Sequence, residues 1–104
     1  MKKFVLLFVG FDPVWENPSD PAAAEVKKAW GNWFESIKKN IVDGGNPFGP
    51  GKEVTKADVK NLPHGPKAEV GYTIINAKDM DEAVKIAQSA PIITSVRVYE
   101  AMSM

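Results

Sequence analysis

No cysteine occurs among the 104 residues, and histidine and arginine occur once each, as His64 and Arg97. The first absence removes a disulfide framework, a thiolate nucleophile and any zinc site built on sulfur. The single histidine, with scattered acids around it, cannot supply the several ligands a transition metal needs, so no metal is expected. Charge of a dominant sign is also missing. Thirteen basic and thirteen acidic residues cancel, leaving no overall field to gather nucleic acid or an anionic membrane surface, and neither is expected as a partner. Long hydrophobic runs are lacking too, since no stretch approaches the roughly 20 apolar residues that span a bilayer. The opening MKKFVLLFVG superficially resembles a signal peptide. Its apolar run is short, however, and Asp12, Pro13 and Glu16 stand where a small-residue cleavage site belongs, so it reads as a strand and a cytoplasmic setting is expected. Glycine clusters do occur, at Gly44-Gly45 and Gly49-Pro50-Gly51. Each lacks the strand-then-helix context that aims amides at phosphates, and no nucleotide or other cofactor is expected.

What is present organises around Gly71–Pro91. Tyr72, Thr73, Ile74 and Ile75 are aromatic or β-branched, as suits a strand on a sheet. Asp79 and Glu82 have the spacing of a capping box, and Met80, Ala83, Val84, Ala87 and Ala90 recur at helical spacing until Pro91 stops the helix. At the other end, Phe4–Val9 is apolar throughout and only six residues long, which favours a strand buried on both faces. Phe4, Leu6 and Phe8 point one way and Val5, Leu7 and Val9 the other. Two helices cover only one face of a sheet this small, so the second face is expected to meet another copy of the chain.

Between these ends, Gly10–Asp20 reads as a surface loop, within which Trp15 either pins the loop to the body or touches a ligand. Ser19 or Asp20 can cap the next helix, with Pro21 in its first turn. From Ala22 to Ile41 the apolar positions 22, 26, 29, 30, 33, 34, 37 and 41 form a stripe about 140° wide. The lysines opposite read as a solvated face. Trp30 and Trp33 stand at the centre of the stripe, where core packing competes with a cofactor or base-stacking role. Phe48–Val54 reads as a weak strand that Pro50 confines to an edge or a bulge. Thr55–Pro66 then reads as a polar excursion before the strand over 68–76, and Thr94–Met102 alternates as a half-buried final strand. The strands are thus expected near 3–10, 47–54, 68–76 and 94–102. The order is β-α-β-β-α-β in a single domain over 1–104, an α+β, ferredoxin-like sandwich with the first and third strands central.

In that order and spacing, Lys3–Phe8, Gly44-Gly45-Asn46-Pro47-Phe48, Val70–Ile75, Met80–Val84 and Val96-Arg97-Val98 together resemble the YCII-related, or DGPF-domain, family of the dimeric α+β barrel superfamily. The resemblance implies a ferredoxin-like protomer and a homodimer whose two sheets face each other. Where the family's Asp-Gly-Pro-Phe motif would fall, this chain has His64-Gly65-Pro66-Lys67, which keeps the Gly-Pro turn and lacks the acid. Members nearer the YCII branch pair a histidine by the first helix with an aspartate, whereas that helix here carries Trp30 and Trp33 and no histidine. The family's acid-base pair therefore does not carry over.

His64 is the only side chain whose ordinary titration lies near neutrality, which makes it the one candidate general acid or base, against an idle role in an exposed loop. A ligand site, if the chain has one, is expected to gather Trp15, Trp30, Phe48, His64, Tyr72 and Arg97 from several elements. Arg97 would anchor a ligand carboxylate there, or else simply pair with Glu69 across the strands. Three readings stay open: binding of a small aromatic or hydrophobic acid, cofactor-independent acid-base catalysis on such a molecule, and a structural dimer module without a ligand. A cavity separates the first two from the third.

Overall fold

The computed structural model describes residues 1–103. Its elements are β1 (Lys2–Val9), α1 (Pro21–Ser36), β2 (Ile41–Asp43), β3 (Gly51–Val54), β4 (Val59–Leu62), β5 (Glu69–Ala77), α2 (Met80–Gln88) and β6 (Ser95–Glu100). Four strands form one antiparallel sheet in the order β2-β5-β1-β6, which places the most apolar strands at its centre. The α+β, ferredoxin-like arrangement expected from the sequence is therefore present. The pairing Phe4↔Ile75, Leu6↔Thr73 and Phe8↔Gly71 sets one face of β1 and β5 beneath the helices. Phe4, Leu6, Thr73 and Ile75 are fully buried there.

Each helix begins on a carboxylate, which satisfies amide groups that have no partner within the helix. Asp20 accepts from Ala22 N at 2.9 Å, with Pro21 in the first turn. Asp79 accepts from Glu82 N at 2.9 Å, and the Glu82 carboxylate accepts in return from Lys78 N at 3.0 Å, a reciprocal arrangement close to a capping box. The buried line of α1 follows Ala23, Trp33 and Ile37, with Val26, Trp30 and Phe34 half-buried beside it. Ala22 and Ala29, which belong to the expected stripe, are exposed. On α2 the side facing the core is lined with alanines, Ala83 and Ala87, which let the helix lie close to the sheet.

Two expectations are corrected. The first helix stops at Ser36 and does not continue to Ile41. The Ser36 hydroxyl donates to the Trp33 carbonyl at 2.6 Å, a local bond that competes with helix propagation. After the turn, Asn40 is drawn to the end of β5: Asn76 N donates to its carbonyl at 2.7 Å, and its side-chain amide donates to Asn76 O at 2.9 Å. The second sheet strand is therefore Ile41–Asp43, extended by a bridge between Pro47 and Gly71, and not residues 47–54. Residues 51–54 instead pair with 59–62, inside the expected polar excursion, as a separate hairpin. Every residue of that hairpin is exposed, including Val54, Val59 and Leu62. The radius of gyration, 14.9 Å, exceeds the roughly 13 Å of an ordinary domain of this length, as a projecting arm requires.

The opposite face of the four-stranded sheet carries no helix. Val5, Leu7, Tyr72 and Ile74 are half-buried there, and Tyr99 is 56% exposed. No helix of the described residues is long and apolar enough to cross a membrane.

Candidate functional site

The site begins where β1 leaves the sheet. Gly10 turns the chain with a φ of +109°, a conformation that side chains rarely adopt. Its amide donates to Ala68 O at 2.8 Å, and Phe11 N donates to Gly65 O at 3.1 Å, so the outgoing loop is sewn to the turn that precedes β5. Asp12 then accepts from Val14 N at 3.0 Å and starts the short 3₁₀ turn Pro13–Glu16, which sets Trp15 and Glu16 beside the N-terminal half of α1. A cavity of about 650 Å³ lies between these segments, α1 and the β2–β5 edge of the sheet.

The floor is open because of what the sheet lacks. Gly71, paired with Phe8, contributes no side chain, and a bulge between Phe8 and Val9 leaves Val70 unpaired and packed against the core. Thr73 is held down, its hydroxyl donating to Gly44 O at 3.0 Å. Above this floor stand aromatic rings: Phe8 meets Trp30 edge-on at 4.9 Å between centroids, and Trp30 lies 6.3 Å from Phe34. Such contacts add to what the burial of large rings contributes. At the mouth, Phe48 stacks on Tyr72 at 5.7 Å, while Trp15 remains 43% exposed.

His64 closes the same mouth. Its ring stacks on Phe11 at 4.1 Å with an interplanar angle of 11°, and Nε2 lies 3.2 Å from Phe48 O. A carbonyl can only accept, so this contact places a hydrogen on Nε2, and in the neutral ring Nδ1 is then an acceptor. His64 thus ties the outgoing loop, through Phe11, to both ends of the hairpin arm. Asp12, Glu16, Lys27 and His64 border the cavity, and the rest of its lining is predominantly aromatic, apolar or backbone.

Of the six residues expected at a ligand site, Trp15, Trp30, Phe48 and His64 border this one cavity, and Tyr72 borders it from the sheet edge, since it pairs with Leu7 and its side chain belongs to the open face. Arg97 does not. It lies on the open face of the sheet, where its guanidinium donates to Glu69 at 2.9 Å, the plain cross-strand pair. The reason is register: Arg97 pairs with Leu7, whose side chain points away from the helices, whereas Phe8 faces the cavity. Trp33, next to Trp30 in the stripe, belongs to the core. It is 4% exposed, and its indole N–H donates to Ser89 Oγ at 2.9 Å.

Sequence reasoning missed Phe11, Asp12, Glu16, Lys27 and Phe34 as cavity residues. Lys27 lies on the solvated side of the helical projection, and Phe34 is one position of the apolar stripe expected to cover the sheet. Phe11, the large apolar residue directly after Gly10, was the available signal in the loop. Among the described residues no group of three or more metal-ligating side chains converges.

No family model matches the chain, and no curated protein matches it. Among solved structures, the chain is similar to 5-chloro-2-hydroxyhydroquinone dehydrochlorinase (TftG) from Burkholderia phenoliruptrix AC1100, in complex with 2,5-dihydroxybenzoquinone. The identity is 17%, the TM-score 0.55, and the match covers 98% of this chain and 95% of the other. Near-complete coverage in both directions means that the likeness concerns the whole domain, and it extends to the fold.

Proposed function

We propose that this chain is a YCII-related protein of the dimeric α+β barrel type that holds a small aromatic or hydrophobic acid, carboxylic or phenolic, in the cavity between α1 and the sheet. One observation carries the reading. A space of about 650 Å³, walled by Phe8, Trp15, Trp30, Phe34 and Phe48, confines its charged groups to a few positions. Ligand pockets of roughly 300–1,000 Å³ have this character, apolar walls with a small number of polar groups that fix orientation. A structural module alone gives no reason to keep such a volume open in a domain with a modest core. The solved structure of similar fold holds a small quinone, which agrees with a small cyclic occupant.

The same reading makes the assembly a homodimer through the open sheet face. Val5, Leu7, Ile74 and Tyr99 share that face, and leaving apolar surface in water forgoes about 25 cal/mol per Å².

A screen of small carboxylic and phenolic acids by thermal shift tests the ligand. A binder at 100 times its dissociation constant adds about 2.7 kcal/mol of stability. The shift should disappear in Trp30→Ala, measured against that variant's own ligand-free transition. A panel that moves neither protein would refute the reading.

A second reading, cofactor-independent acid-base catalysis, draws on His64. Its Nε2–H is held by Phe48 O, so the acceptor Nδ1 is free to take a proton from a ligand hydroxyl at the mouth. His64→Gln should then abolish turnover while retaining binding. Equal turnover by the variant would remove this reading and leave the first.

A further inference from the structure

We propose that the cavity selects a neutral, hydroxyl-bearing aromatic ring over an aromatic carboxylate. The inference rests on the ligand-binding reading above and narrows it. The aromatic walls set the ligand's shape; the polar groups at the rim set its chemistry, and they are unequal in kind.

Asp12 and Glu16 border the cavity from the same 3₁₀ turn, against a single ammonium, that of Lys27. Arg97, the other cation considered as a carboxylate anchor, lies outside and is paired with Glu69. A carboxylate ligand would therefore meet two like charges and one opposite charge at the rim, and like charges disfavour one another.

Hydrogen-bonding capacity points the same way. Asp12 uses Oδ1 to accept from Val14 N at 3.0 Å, which fixes the carboxylate in place and leaves Oδ2 without a partner among the described residues. The Glu16 side chain has no hydrogen-bond partner or ion pair among the described residues, and His64 keeps Nδ1 as an acceptor while Nε2 faces Phe48 O. These groups receive hydrogens, while the donors among the bordering residues, on Lys27, Asn46, Trp15 and Trp30, can serve a phenol oxygen as well as a carboxylate. An aromatic carboxylate has none to give, whereas a phenol or polyhydroxybenzene donates, and hydrogen bonds to a charged acceptor are the stronger kind. A site built to bond a hydroxyl also discriminates sharply against an analogue that lacks it, because the acceptors are then covered without a partner.

A shape-matched pair of probes separates the alternatives: 4-methylphenol and 4-methylbenzoate, titrated calorimetrically into the intact protein near neutral pH. The phenol should bind at least tenfold more tightly. The ratio should fall at least fivefold in the double variant Asp12→Asn/Glu16→Gln, in which Asn retains the capping acceptor. Equal affinities, or tighter binding of the benzoate, would overturn the inference while leaving the ligand site standing. So would a phenol preference that persists unchanged in the double variant, since it would not arise from these carboxylates. If neither probe binds at millimolar concentration, the ligand site itself is refuted, and this inference with it.

Discussion

Two adjacent glycines, Gly44 and Gly45, should respond in opposite ways to the addition of one methyl group. Gly45 sits at a φ of +77°, and a Cβ built on it would lie 1.7 Å from the Tyr72 carbonyl oxygen and 2.7 Å from its carbon. The neighbouring atoms are backbone of the central strand β5, which cannot swing aside as a side chain would. Two costs then add in Gly45→Ala. Left-handed backbone strain at a residue other than glycine is worth about 1–3 kcal/mol, and forcing extra volume into a closed site about 1–3 kcal/mol more. The expected loss is about 2–6 kcal/mol, a large share of the roughly 5–15 kcal/mol that stabilises a domain. Gly44 is exposed, has no positive φ, and its Cβ would meet nothing within 4 Å. Gly44→Ala should therefore stay within about 0.5 kcal/mol of the parent, or gain slightly from a less flexible unfolded chain. Urea unfolding followed by tryptophan fluorescence gives both values, with m expected near 1–3 kcal/mol per molar. Gly45→Ala should shift the midpoint by about 1 M or more, with m unchanged. A loss below 1 kcal/mol in Gly45→Ala, or equal losses in the two variants, would refute the close approach of the 44–45 turn to Tyr72.

Other expectations follow from single contacts. Asp79→Ala removes the acceptor for Glu82 N and should cost about 1 kcal/mol by chemical unfolding; an unchanged midpoint would mean that water caps α2 equally well. Leu6→Ala, at a fully buried position, should cost about 2–5 kcal/mol. Arg97→Ala breaks a pair whose side chains are half exposed, so stability should change by less than about 0.5 kcal/mol. It should also leave every ligand-induced thermal shift intact, and a lost shift would bring Arg97 back as an anchor. Light scattering at micromolar concentration should give twice 11.4 kDa, and Tyr99→Asp on the open sheet face should give the single mass. A parent monomer would refute the dimer.

The parts of this fold that were legible in the sequence are those whose signal is local. Tyr72–Ile75 declares itself by residue type, and Asp79 with Glu82 by spacing, because strand propensity and capping act within a few residues. The first strand was legible on both faces, since Phe4, Leu6 and Phe8 are buried beneath the helices while Val5 and Leu7 line the bare side. The second strand escaped because Ile41 continues the helical spacing of Ile37, and only the distant pairing of Asn40 with Asn76 overrides that periodicity. The strand Val59–Leu62 escaped for the opposite reason: it covers no core, so no alternation of apolar and polar residues marks it. Five of the six expected site residues border one cavity. Arg97 takes the plain cross-strand pair with Glu69 that was the alternative to a ligand anchor, because one position in strand register reverses the face a side chain meets.

The hairpin arm joins the body between Phe48 and His64, and the four-stranded sheet closes without it. Loop closure grows only logarithmically with length, each doubling costing about 0.6 kcal/mol. The arm can thus be lengthened, trimmed or recomposed with little consequence for folding. Its root, however, is the doorway of the cavity, where His64, Phe11 and Phe48 meet. On the proposed ligand-binding reading, access to the cavity can therefore be retuned on a part of the molecule that the core does not depend on, so that access and stability are free to evolve on separate terms.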